Sequence, residues 1–210
     1  MPNSRFLMIF IALLLFAVTA AAADIAIVPG PDTFFREMTA VKTLSCSFVQ
    51  EQRIAGLKKP IRLTGRFYMN NTGDLAWIVC TPVRFYCIIY KGKLSSWDME
   101  SDTRRVIDLK DHPAFAAMIN MMQDFFAGRI SIEKDYQYSI INTEKIILTP
   151  RKHSPLAESV KHIDITLFAD RRSIRCIRIG TCNGDSNTMT FSNAVLDKPV
   201  PETVWGNGDI

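Results

Sequence analysis

Residues that commonly carry chemistry are few and scattered in this sequence. The three histidines, His112, His153 and His162, show no spacing typical of metal ligands, and we expect surface or capping roles for the first two. No G-x-S-x-G, H-E-x-x-H, Walker A or G-x-G-x-x-G stretch occurs. Cys46 and a distant histidine could form a nucleophilic pair, but a cysteine that alternates with apolar strand residues is usually buried and inert. The sequence therefore predicts no enzymatic activity, no metal site and no cofactor.

The chain contains five cysteines, which is an odd number for an exported protein. No C-x-x-C spacing is present. Cys46 and Cys87 fall on apolar strand positions and are expected to be small buried hydrophobes. Cys80 with Cys87, or Cys176 with Cys182, could form a disulfide bridge, but a sequence does not reveal disulfide geometry.

Apolar residues, by contrast, are abundant and regularly spaced. In IRLTGRFYMNNTGDLAW (61–77), they occupy every second position on either side of a polar turn at 70–74. A period of two is typical of a strand with one buried face, so the segment predicts a β-hairpin. The residues expected on its apolar face are Ile61, Leu63, Phe67, Met69, Leu75, Trp77 and Val79.

A helical period appears in DHPAFAAMINMMQDFFAG (111–128), which Pro113 and Gly128 bracket as start and stop signals. Its polar side is thin, so most of the helix must be covered by other parts of the protein. Methionine suits a surface that repacks around varied apolar ligands. Ordinary core packing is the alternative interpretation. The apolar positions are Phe115, Met118, Ile119, Met122, Phe125 and Phe126.

The remaining patterns predict a mainly β (α+β) protein. An amphipathic helix is expected over 31–43, and about ten strands are expected from Leu44 to Phe191. Strands in sequence order with two helical segments favour a large antiparallel sheet, and such a sheet tends to curl and form a concave face.

The first 23 residues are typical of a cleaved secretory signal peptide. Arg5 precedes an apolar run over 6–18, which is followed by small residues up to Ala23. We therefore expect one domain over 24–210. Loss of Arg5 lowers the formal net charge from +4 to +3, which is too mild to favour nucleic acid as a partner.

Several segments, taken together and in order, are similar to the LolA-type family of periplasmic outer-membrane lipoprotein carriers. The similarity covers nearly all of the chain after the signal peptide. The matching pieces are VKTLSCSFVQ (41–50), Gly65 with its spacing to LAW (75–77), Pro82, IIYKGKLSSWD (88–98) and ILTPR (147–151).

This resemblance implies an unclosed antiparallel β-barrel whose helical lid encloses an apolar cavity. It further implies a carrier that takes the acyl chains of a lipoprotein from an inner-membrane transporter to an outer-membrane acceptor. Leu75 and Trp77 match the family's cavity-rim apolar residue and strand tryptophan. The residues expected to line the cavity are Leu63, Phe67, Met69, Leu75, Trp77, Ile89, Phe115, Met118, Met122 and Phe125.

One departure from the family pattern concerns the lid. Members usually carry an Arg-Pro whose arginine hydrogen-bonds the lid shut, and the corresponding positions here are Asn71 and Thr72. Asparagine lacks the several donors of a guanidinium, so this latch is not expected to carry over.

The sequence thus leaves two hypotheses open. The first is a monomeric periplasmic carrier of acylated protein. The alternative is a binder of another acylated molecule, such as a glycolipid, a lipid-linked pigment or a fatty acid.

Overall fold

The described part of the chain folds around one antiparallel sheet of eleven strands. The computed structural model describes residues 30–111, 123–124, 135–154 and 156–206. Within these ranges, no helix is both long and apolar enough to cross a bilayer. The strands are β1 Thr43–Arg53, β2 Ile61–Asn70, β3 Leu75–Thr81, β4 Phe85–Tyr90, β5 Lys93–Asp98, β6 Thr103–Asp108, β7 Tyr136–Ile140, β8 Lys145–Pro150, β9 Val160–Leu167, β10 Ile174–Thr181 and β11 Ser186–Leu196. The helical segments in these ranges are α1 Pro31–Phe35, three short 3-10 turns, Met38–Ala40, Leu109–Asp111 and Glu202–Val204, and the helical residues Gln123 and Asp124.

The order of the strands leaves the barrel unclosed. Strands adjacent in sequence pair with one another, except that β1 pairs with β11 and β6 does not pair with β7. The predicted unclosed antiparallel barrel is confirmed. The prediction of about ten strands omitted β6, because its residues Thr103 to Val106 are all exposed and give no alternation to detect.

One face of the sheet is buried in a single apolar cluster, which we call the inner face. Residues of all eleven strands belong to this cluster or pack against it. Strands lie about 4.8 Å apart, so ten spacings of a flat sheet would put its edges far beyond side-chain contact. The sheet must therefore curl around the cluster. One row of paired residues across it runs Leu196, Leu44, Met69, Leu75, Ile89, Leu94 and Ile107.

Gly65 marks the closest approach within this face. It lies opposite Phe48 on β1, and the Phe48 ring packs over it and against Trp77, with 4.2 Å between the two ring centroids. A Cβ added at Gly65 would lie 1.9 Å from the carbonyl oxygen of Ile78 and 2.7 Å from the Phe48 ring. Only glycine leaves room for both contacts.

The leading segment differs from the single helix predicted over 31–43. It consists of α1 and the 3-10 turn Met38–Ala40, after which Val41 is extended. The sheet recruits the backbone beyond this point: the Lys42 carbonyl accepts a hydrogen bond from the Asn71 N–H, and the Thr43 carbonyl accepts one from the Asp197 N–H. Hydrogen bonds to neighbouring strands thus end the helical path earlier than apolar spacing suggests.

The opposite, outer face of β3 and β4 is covered by the C-terminal segment. Val204 and Trp205 are buried there, and the Trp205 ring stacks on Tyr90 at a centroid distance of 5.7 Å. The sheet residues beneath are Ala76, Ile78, Tyr86 and Ile88. These strands are therefore buried on both faces.

We predict that Gly65→Ala destabilises the fold toward the upper end of the ~1–3 kcal/mol typical of overpacking. The clash is with backbone as well as with a ring, so side-chain movement alone does not relieve it. Gly206→Ala is the matched control, because a Cβ there meets nothing within 4 Å. Urea unfolding measures both variants. Equal stability for the two would contradict the close approach at Gly65.

Candidate ligand-binding face

The six described residues that the sequence places in a cavity all lie on the inner face. They come from the adjacent strands β2, β3 and β4, and none is more than 8 % exposed. Their register brings them together, since Phe67 pairs with Trp77, and Leu75 pairs with both Met69 and Ile89. The six are Leu63, Phe67, Met69, Leu75, Trp77 and Ile89.

The predicted helix over 111–128 lies mostly outside the described residues. Its candidate lining residues, Phe115, Met118, Met122 and Phe125, therefore stay predictions. Gln123 is helical, and its side-chain amide donates a hydrogen bond to the carbonyl of Gly73, in the turn between β2 and β3.

An aromatic cluster forms the centre of the face. Trp77 contacts Phe48, meets the edge of Phe67 at 5.6 Å, and lies perpendicular to Phe191 at 6.5 Å. Phe48 and Phe191 were not among the predicted lining residues. Alternation along β1, which places Phe48 in phase with Cys46, is the sequence signal for Phe48. Phe191 lies opposite Phe48 on β11.

The leading segment packs onto the inner face through three buried residues, Phe34, Phe35 and Met38. Arg171, in the turn between β9 and β10, holds this segment in place. Its Nη2 donates to the backbone carbonyl oxygens of Thr33 and Phe34, at 2.9 and 3.0 Å. A guanidinium is suited to this task because it presents several donors in a fixed geometry.

A neighbouring ion pair reinforces the start of the sheet. Arg172 pairs with Asp197, and the same carboxylate accepts a hydrogen bond from the Lys42 N–H at 2.9 Å. The Lys42 N–H, followed by Arg172, holds the pKa of Asp197 below its ordinary value. The carboxylate therefore stays charged at neutral pH and keeps both contacts.

The side chains in the turn between β2 and β3 hydrogen-bond within the turn. The Asn70 side chain accepts hydrogen bonds from the Thr72 and Asp74 N–H groups and donates to the Asp74 carboxylate. The other Asp74 oxygen accepts from the Lys91 N–H, which ties the turn to the next hairpin. The turn thus offers no guanidinium. Gln123 donates a hydrogen bond to this turn, at the carbonyl of Gly73. The arginine that holds a helical segment is Arg171, in a different turn.

The cysteines are all free, so neither possible bridge is present. Cys87 lies opposite Trp77 on the inner face, whereas Cys80 is exposed. Burial raises the pKa of the Cys46 and Cys87 thiols to about 12. Both thiols are protonated at neutral pH, which makes them poor nucleophiles.

The most deeply buried polar side chain on the apolar face of β1 is a glutamine. Gln50, on β1, is 1 % exposed and in phase with Cys46 and Phe48. It ends the segment that resembles the carrier family, but its polarity gave no reason to expect it among lining residues.

Known structures share this architecture. MucB of Pseudomonas aeruginosa in its complex with MucA is similar over 84 % of this chain and 61 % of that one, with 11 % identity and a TM-score of 0.51. MucB in complex with MucA(peri) is similar over 85 % of this chain and 59 % of that one, with 12 % identity and a TM-score of 0.50. The shared feature is the fold, a large antiparallel sheet that does not close. The present chain spans about three fifths of those MucB chains.

The matches also include a LolA superfamily protein from Nitrosomonas europaea, over 84 % of this chain and 97 % of that one, with 7 % identity and a TM-score of 0.41. No protein-family model and no curated protein matches the sequence. At these identities the shared feature is the fold.

We predict that iodoacetamide labels the exposed Cys80 and Cys182 of the reduced, native protein at pH 8 and leaves Cys46 and Cys87 unlabelled. A raised pKa keeps these two as neutral thiols until the pH approaches 12, and burial blocks access. Mass spectrometry of the labelled peptides gives the result. In denaturant, all five should react. Native labelling of Cys46 as fast as Cys80 would contradict the inner position.

We predict that Arg171→Lys loosens the leading segment and lowers the free energy of unfolding by about 1–2 kcal/mol, because an ammonium cannot reproduce the guanidinium geometry. Hydrogen exchange should accelerate at the Phe34 and Val41 amides, which bond within this segment. Arg178→Lys is the control, because Arg178 is exposed on β10. Unchanged exchange in both variants would show that Arg171 does not hold the segment.

Proposed function

We propose that this protein is a periplasmic carrier that binds the acyl chains of a lipoprotein against its inner face. The observation that carries the proposal is the apolar cluster to which all eleven strands contribute, covered in part by a short helical segment. An acyl chain needs a long, uncharged surface that excludes water, and its burial gives about 0.8 kcal/mol per CH₂ group.

The proposed contact surface is the set of paired residues at the centre of the sheet. Leu63, Phe67, Met69, Leu75, Trp77 and Ile89 provide its strand side. Phe115, Met118, Met122 and Phe125 are proposed to provide its lid side. Entry of a chain requires the covering segments to move, because the strand residues are buried when the leading segment is in place.

The proposed partners follow from the same resemblance. An inner-membrane transporter would load the carrier, and an outer-membrane acceptor would receive its cargo. The expected signal peptide supports a periplasmic location. MucB, whose fold is similar over most of this chain, is seen in complexes with MucA, and this supports a protein partner. The proposed cargo is accordingly an acylated protein rather than a free lipid.

A binding role rather than catalysis fits the titratable groups on this face. The two inner thiols, Cys46 and Cys87, have raised pKa values and are held in the unreactive form. An ester bound beside them would meet no activated nucleophile there.

We predict that Ile89→Ala impairs acyl binding, whereas Ile88→Ala does not. The two isoleucines are consecutive on β4, are 3 % and 2 % exposed, and belong to the inner and outer clusters respectively. Each truncation should lower stability by about 2–5 kcal/mol. Displacement of a fluorescent fatty acid, measured where both variants are folded, separates binding from stability. Equal effects on binding would contradict an inner-face site.

Native mass spectrometry of protein purified from the periplasm tests the cargo. A co-purifying lipoprotein supports the proposal. A bound lipid of small mass, with no bound protein, would instead support the alternative, a carrier of another acylated molecule.

A further inference from the structure

Gln50 is a buried amide whose two polar side-chain atoms find no hydrogen-bond partner in the part of the chain that the structure describes. Its side chain is 1 % exposed, and neither Oε1 nor Nε2 has a partner among the described residues. Its paired neighbours are Leu63 on β2 and Met189 on β11, which are both apolar. A buried polar group left unpaired costs about 1–3 kcal/mol, so natural proteins seldom keep one without a use.

Two more carboxamides lie beside Gln50 on the same face. Gln52 follows two residues later on β1 and is 8 % exposed, and it pairs with Asn187 on β11. The Asn187 Oδ1 atom is also buried and has no partner among the described residues. Diagonal neighbours in a sheet lie about 7–8 Å apart, so two such side chains can contact one small polar group that lies between them.

The chemistry of this patch is polar and uncharged. The residues that pair with Gln50 and Gln52 are Leu63, Met189, Ile61 and Asn187, none of which carries a charge. A carboxylate or phosphate buried here would therefore lack a cation beside it, and an unpaired buried charge is very unfavourable. A neutral group that hydrogen-bonds is the fitting occupant.

On the basis of the proposed function, we infer that Gln50 binds a secondary amide at the head of the acyl chain. Oε1 of Gln50 accepts the N–H of the ligand. In a trans amide the carbonyl oxygen points away from the N–H, so it is turned toward the neighbouring carboxamides of Gln52 and Asn187. An ester offers only the acceptor and leaves Oε1 unpaired. Gln52 and Asn187 border the same polar group. The apolar part of the chain extends from there across the aromatic cluster.

The inference distinguishes among acylated ligands. A free fatty acid carries a carboxylate, and an ester-linked chain lacks the N–H. An amide-linked chain, on a protein N-terminus or on an N-acyl lipid, supplies the N–H that Gln50 Oε1 can accept. A site that hydrogen-bonds a ligand group discriminates against the analogue without it, because its own polar atoms are then left unpaired.

The test compares N-methyldodecanamide with methyl dodecanoate, which have the same acyl chain and differ only in the N–H. Each is used to displace a fluorescent acyl amide, which carries no carboxylate, from the full mature chain. We expect the amide to bind about tenfold more tightly, since one such hydrogen bond corresponds to about that factor. Equal affinities would overturn the inference and leave the proposed function intact. Failure of both ligands to bind would instead refute the proposed function.

Substitutions at Gln50 and at its paired residue Met189 test whether Gln50 causes the preference. Gln50→Met keeps the length of the side chain and removes both polar atoms, so it should abolish the preference for the amide while melting no lower than the wild type. Met189→Leu alters the apolar neighbour and should keep the preference. A Gln50→Met protein that still prefers the amide, whether or not it melts lower, would show that Gln50 has a structural role or bonds a buried water.

A third ligand identifies the source of the amide. Dodecanoyl-Gly-Ser-Ser-amide carries the same chain on a peptide. If it binds more tightly than N-methyldodecanamide, the ligand is an acylated protein terminus. If the two bind equally, with the preference over the ester retained, the amide alone is recognised, as in an N-acyl lipid. Binding weaker than that of the ester would overturn the inference.

Discussion

The contact of Phe48 with Trp77 above Gly65 is the constraint on which the rest of the sheet depends. It involves three adjacent strands, because β1 supplies the ring, β2 the space and β3 the indole. Side chains alternate along a strand, so fixing one inner residue on each strand fixes the face of every other. A slip of one residue in β2 would turn the exposed Arg62 and Arg66 inward, which makes any other register costly.

The two faces of the sheet have different covers, and this difference separates stability from binding. The outer face of β3 and β4 is closed by the C-terminal segment, where Trp205 stacks on Tyr90. The inner face is covered in part by the leading segment, which Arg171 ties down by hydrogen bonds to two carbonyl oxygens. A central part of the sheet can thus stay packed from the outside while the inner cover moves. This arrangement suits a protein proposed to admit a ligand on one side only.

Strand alternation was sufficient to predict the sheet and its inner face, on which six of the predicted cavity residues lie, because a period of two directly reports burial on one side. Where burial does not follow that period, the sequence was less informative. β6 is exposed along most of its length, and β3 and β4 are apolar on both faces, so their sequences did not reveal the outer cover. The leading helix was predicted too long because hydrogen bonds from distant strands, at Lys42 and Thr43, decide where it ends. Gln50 was missed for a different reason: its strand phase places it inside, but its amide favours water.

These features combine into a physical account of how an empty and a loaded state could differ. In the structure, Phe34, Phe35 and Met38 cover apolar residues of the inner face, and Gln50 has no side-chain partner among the described residues. The cover is held by a few hydrogen bonds, whereas the sheet is held by the ladders of eleven strands, so opening is local rather than global. On the proposed function, a bound chain replaces the apolar contacts of the cover, and its N–H supplies the hydrogen bond that Gln50 Oε1 lacks among the described residues. That bond is made only with the ligand in place, so it adds to the affinity for a ligand that carries an N–H.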